Sequence, residues 1–137
     1  AWGELDYLLV DMPPGTGDVA LTVFQSLPVD GVVIVSSPQD LVQMVVGKAV
    51  NMANMMNVPV LGLVENMAYV TCPHCDEKIY PYGPSRLDQT AKAFDVEALG
   101  QLPMDAALAA AEGLLPDAVE AVVRTAEFMD ALRGQDA

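Results

Sequence analysis

The stretch VPVLGLVEN, residues 58–66, is apolar without alternation until it reaches Glu65 and Asn66. A strand with one wet face alternates, whereas a continuous apolar run with polar ends reads as a strand buried on both faces of a parallel sheet. DYLLVD (6–11) and GVVIVSS (31–37) have the same character, and ALGQLP (98–103) is a shorter fourth run. Helical stretches fill the gaps at roughly 18–27, 39–57, 85–95 and 116–133. This βαβα alternation predicts an α/β sandwich, a mostly parallel sheet with helices on both faces.

Composition narrows the function classes. The chain has 137 residues, 53% of them hydrophobic, which suits one globular domain with a real core. Six scattered basic residues and a formal net charge of −13 disfavour nucleic acid and anionic membranes as partners. The longest apolar candidate, VVGKAVNMANMMNVPVLGLV, is broken by Lys48, three asparagines and Pro59, so it does not read as a membrane span. Two cysteines make no secreted disulfide framework, and a reducing cytoplasm is expected. AWGELDYLLVD has no initiator Met and enters an apolar run at once, so the N-terminal part of a larger domain is expected to precede it.

The second helix has a legible start, with Ser37 as cap, Pro38 in the first turn and Asp40 at the positive helix end. Its methionine-rich body reads as a helix packed on the sheet, with a partner-binding face as the other possibility. The segment at about 66–84 is the one long connection, and long connections in compact α/β domains are usually functional.

Two motifs carry chemistry. In LLVDMPPGTGD, Asp11 ends an apolar strand, where a carboxylate can hold magnesium through its water shell; Gly15 and Gly17 let backbone N–H groups approach a phosphate. Asp18 reads as an ordinary helix N-cap. The other motif is YVTCPHCDEKIYPYG (69–83), which contains Cys72, Cys75 and the only histidine, His74.

A CxxC turn offers two sulfurs to one metal centre, whereas closed zinc and iron-sulfur sites commonly take four protein ligands. A two-fold axis through the site supplies four thiolates from two chains, so the ligand count predicts a homodimer. Zinc fits that count as well as a cluster does. His74 sits where it shapes the turn rather than ligates. The competing reading is a CPHC thiol oxidoreductase, but Pro81, Gly83 and Pro84 break any following helix, and Asp76 and Glu77 are expected to raise the thiol pKa values. Tyr69, Tyr80 and Tyr82 flank the thiols, either shielding them from water or closing a dimer contact. The alanine- and leucine-rich tail reads as a packed terminal helix.

DYLLVDMPPGTGD, SSPQD, VPVLGLVENM, CPHC and LGQLPMD, in this order, resemble the Mrp/ApbC family of iron-sulfur cluster carrier ATPases, relatives of the MinD-type P-loop proteins. The likeness runs from about Glu4 to about Gly113. It implies a partial P-loop NTPase-type sandwich, with 1–137 the C-terminal part of such a domain. Asp11 resembles the aspartate acting on magnesium and Gly15 the glycine that senses the terminal phosphate, with Gly17 beside it. Asn66 resembles the asparagine that reads adenine, and Pro103 to Asp105 the segment closing over the base. Cys72 and Cys75 match the pair that binds a 4Fe-4S cluster bridging a homodimer, from which it is delivered to apo-proteins.

No G-x-x-x-x-G-K-[ST] stretch occurs in this chain, so ATP hydrolysis is not expected of it alone, although the family binds ATP and magnesium. YPYGPSR is also a reduced form of the family's Gly-rich stretch after the cysteines. Other expectations of a different class are a zinc-bridged interaction module and, through exposed strand edges, more extensive self-association than a whole domain shows.

Overall fold

The structure is a computed structural model and describes residues 3–5, 8–39 and 42–106. In chain order its elements are α1 (Asp18–Ser26), β1 (Val32–Ser36), α2 (Val42–Met55), β2 (Val60–Thr71), β3 (Lys78–Ile79), α3 (Leu87–Phe94) and β4 (Ala98–Pro103). Asp40 and the expected helix at 116–133 lie outside the described residues.

The middle strand is β2. On one edge it pairs in parallel with β1, placing Ile34 opposite Leu63 and Ser36 opposite Glu65. On the other it pairs in parallel with β4, placing Glu65 opposite Gln101 and Tyr69 opposite Pro103. A sheet that advances in one direction, from β1 through β2 to β4, puts both connecting helices on one face when its crossovers are right-handed. Accordingly α2 and α3 touch each other and share a core of Ile34, Val46, Val50, Leu63 and Leu87, with Phe94 and Val96 packed against it. Val35, which points to the opposite face, is 62% exposed.

Both helices return to the sheet by the same turn. Asn57 after α2 and Asp95 after α3 adopt left-handed backbone, with φ of 56° and 54°. The N–H of the following valine then reaches back into the helix, Val58 to the Ala53 carbonyl at 2.9 Å and Val96 to that of Ala91 at 3.0 Å. Asn and Asp tolerate the left-handed region, so an ordinary helix-ending motif fixes where β2 and β4 begin. Gly62 then lets β2 approach its neighbour, because a Cβ there would lie 2.5 Å from Leu99 Cγ.

Three expectations need correction. Residues 8–11 form no strand: Leu9 is 61% exposed, and none of the described strands pairs with this run. An apolar run becomes a strand only where a neighbour supplies ladder partners for its N–H and C=O groups. Ser37 and Pro38 lie in a bend that lines a polar cleft, not in a first helical turn. The long connection at 66–84 is partly regular, since β2 runs past Asn66 to Thr71 and folds back antiparallel onto β3.

Candidate functional site

The cysteines occupy the tip of that hairpin. Val70 pairs with Ile79 and Thr71 with Lys78, which leaves Cys72 to Glu77 as the turn. The N–H of Cys72 donates to the Glu77 carbonyl at 2.9 Å, and that of Asp76 donates to the Cys72 carbonyl at 3.0 Å. Asp76 closes the turn in left-handed backbone (φ 57°), a conformation that Asp accepts more readily than most residues. This knuckle presents Cys75 to solvent and Cys72 partly so, both as free thiols.

The backbone N–H of His74 holds the Cys72 thiol below its ordinary pKa, helped by the Cys75 side chain and N–H, with burial opposing. The expected rise from Asp76 and Glu77 is therefore corrected for Cys72. Both carboxylates are exposed to water, which screens them, whereas the turn's donors act at contact distance. A lowered thiol is closer to the thiolate that binds metal. CPHC sits in a hairpin turn rather than at a helix N-terminus, so the lowering comes from the turn itself. Among the described residues, no three His, Cys, Asp or Glu side chains converge as a metal site, so the two thiols are an incomplete ligand set within one chain.

Aromatic groups brace the hairpin. The rings of Tyr69 and Tyr80 lie 6.0 Å apart at 53°, and Lys78 Nζ sits 4.3 Å from the Tyr69 ring centroid. Such contacts stiffen a short two-stranded ribbon that has little else to bury.

The residues matched to adenine recognition lie at the base of the hairpin. Asn66 Oδ1 accepts the N–H of Met67 at 2.9 Å, which leaves its amide donors available to ring nitrogens. Met67 itself is in left-handed backbone (φ 56°), where the pairing of β2 with β4 shifts register between Glu65 and Tyr69. A non-glycine residue held there costs about 1–3 kcal/mol, and such strain concentrates at sites that bind. Pro103 ends β4, and the N–H of Met104 donates to the Tyr69 carbonyl at 2.7 Å. The 103–105 segment is thereby fastened to the strand that carries the cysteines, and Asp105 at its end is exposed.

The acidic turn leads into α1. Asp11, Gly15 and Gly17 are exposed, and Gly15 has a φ of 94°, which suits glycine alone. Gly17, rather than Asp18, is the N-cap of α1, and Asp18 is the first helical residue.

Sequence reasoning missed Glu65 as a site residue. It is 3% exposed, and its Oε2 accepts hydrogen bonds from Ser85 Oγ at 2.6 Å and Gln101 Nε2 at 3.1 Å. It lines a polar cleft with Ser36, Gln39 and Thr90. The available signal was an acidic residue inside an otherwise apolar strand.

The chain matches a family model over residues 1–131, and that family is described as the NUBPL iron-transfer P-loop NTPase. An iron-sulfur cluster carrier protein of Methanocaldococcus jannaschii is 46% identical over 105 residues, which are 76% of this chain and 36% of that protein. The iron-sulfur cluster transfer protein NUBPL of Mus musculus is 50% identical over 103 residues, 75% of this chain and 32% of that one. A solved nucleotide-binding protein of Archaeoglobus fulgidus, in complex with ADP and with cobalt found in it, superposes with a TM-score of 0.70 at 48% identity. That match covers 79% of this chain and 44% of the other. The chain thus spans about a third of the length of the curated relatives.

Proposed function

The chain belongs to the family of NUBPL-type iron-transfer P-loop NTPases, and on that premise we propose that it is the cluster-holding portion of an iron-sulfur cluster carrier. The observation that carries this reading is the knuckle: two thiols on one tight turn, with Cys72 lowered by the turn's own donors, at the tip of a braced hairpin. The donor chemistry fits a soft metal centre, and two thiols are half of the usual set. A second copy of the chain completes it, and the likeness to iron-sulfur cluster carriers favours a 4Fe-4S cluster over zinc as the cargo, held between two subunits by Cys72 and Cys75 of each. A cluster on exposed hairpin tips is open to attack by incoming thiolates of an apo-protein, which suits transfer. Such a cargo calls for a reducing compartment, the cytoplasm in this reading. No described helix is long and apolar enough to cross a membrane.

The nucleotide assignments extend the same reading. Asn66 would meet adenine, with Pro103 to Asp105 closing over it. Asp11 would hold magnesium through water, and Gly15 and Gly17 would offer N–H groups to phosphate. ATP held there would bring its phosphates and magnesium to these residues, and this chain alone, without a P-loop lysine, is not expected to hydrolyse it.

The test is anaerobic iron, sulfide and zinc analysis of the purified chain and of Cys72→Ser, with oligomeric mass measured on the same samples. Iron and sulfide in near-equal amounts on a dimer, lost in Cys72→Ser, support the reading. Zinc without sulfide after reconstitution replaces the carrier with a zinc-bridged module. A chain that takes up neither, with unchanged mass, ends it.

A further inference from the structure

The hydrogen bonds of Glu65 close a loop. Ser85 is twenty residues away in sequence, and the chain between them carries Tyr69, Cys72, Cys75 and Tyr80. Ser85 Oγ donates to Glu65 Oε2 at 2.6 Å and accepts the N–H of Leu87 at 3.2 Å, so one hydroxyl ties the first residue of α3 to the middle strand. Gln101 Nε2 brings β4 to the same oxygen, and three residues on, just past the end of β4, the Met104 N–H fastens to the Tyr69 carbonyl. Both feet of the cysteine-bearing excursion therefore meet at one buried carboxyl group, and a third strand is clipped to them. A buried acid is costly unless its hydrogen-bonding capacity is met, and all buried side-chain polar atoms among the described residues have partners.

We propose that Glu65 is a positioning residue for the cysteine pair: by fixing both feet of the 66–85 excursion it preorganises Cys72 and Cys75 for a metal centre. This rests on the reading of the pair as metal ligands. Outer partners that orient ligands commonly change metal affinity by about 10–100-fold when removed, and a clasp at the base of a hairpin acts on ligand placement in the same sense.

The experiment is anaerobic titration of the reduced 137-residue chain with Co²⁺, following thiolate-to-cobalt charge transfer, for the parent and for Cys72→Ser, Glu65→Ala, Glu65→Gln, Ser85→Ala and Val50→Ala. Cys72→Ser tests the underlying reading by itself: if its charge-transfer signal equals the parent's, the pair is not the ligand set and the inference falls with it. With that signal lost, Glu65→Ala is expected to weaken Co²⁺ binding by about tenfold and broaden the tetrahedral spectrum. Glu65→Gln should restore affinity to within about twofold, because one amide oxygen can accept both bonds. Val50→Ala destabilises the shared core without touching the clasp and should keep the parent's affinity. A folded Glu65→Ala with the parent's affinity and spectrum overturns the proposal. If that variant does not fold, Ser85→Ala decides: weakened binding supports the clasp, and unchanged binding overturns it. Equal weakening in Val50→Ala also overturns it, since general stability would then explain the effect.

Discussion

Two acid-ended apolar runs, LLVD at 8–11 and LGLVEN at 61–66, look alike in sequence and differ in structure. The second is the middle strand of a parallel sheet, with Leu63 1% exposed and Glu65 buried beside it. The first is exposed, pairs with no described strand, and leads into a glycine turn before α1. Apolarity states a demand for neighbours; it does not supply them. The cysteine hairpin has its neighbours in the described residues, which is why its geometry can be argued side chain by side chain.

The largest way to sharpen this contrast is at the knuckle. Cys72→Ser and Cys75→Ser should each abolish cluster uptake, measured as iron and sulfide after reconstitution, whereas Asp11→Asn, outside the cysteine hairpin, should leave uptake unchanged. Next comes stability. Leu63→Ala should cost about 2–5 kcal/mol in urea unfolding, the range for truncating a buried leucine, while Leu9→Ala should stay within about 0.5 kcal/mol. Equal costs for the two would erase the distinction between the runs.

Glycine gives a smaller comparison. Gly62→Ala forces a Cβ to within 2.5 Å of Leu99 Cγ and 2.9 Å of the Glu97 carbonyl, so it should destabilise by about 1–3 kcal/mol. Gly15→Ala meets no neighbouring atom and bears only backbone strain, about 1 kcal/mol. The smallest effect is one of pH. Because the Cys72 thiol is lowered, it keeps thiolate character as pH falls below the ordinary thiol value of about 8.5. Its alkylation by iodoacetamide, followed by mass spectrometry, should persist to lower pH than that of an unstructured cysteine. A profile matching the free amino acid would remove the turn's donors from the account.

The features legible in the sequence were those set by local chemistry. GVVIVSS, VPVLGLVEN and ALGQLP became β1, β2 and β4, because continuous apolar runs suit the strands of a parallel sheet. The helices between them fell within a few residues of expectation, and CPHC named the thiols. What escaped was set by contacts across the chain. The extension of β2 to Thr71 depends on β3 folding back, and the left-handed Met67 depends on a register shift against β4. The clasp at Glu65 joins residues twenty and thirty-six positions apart, which no window of sequence shows.

The meeting of both feet of the cysteine excursion at Glu65 makes the hairpin a detachable cassette. A segment that leaves and rejoins a sheet at one side chain can change its tip while the strands beneath keep their register. In that sense the sheet and the hairpin tip are separable variables. Exchanging Cys72 to Glu77 for a different turn of equal span, with Glu65, Ser85 and Gln101 kept, should leave the pairing of β2 with β1 and β4 unchanged.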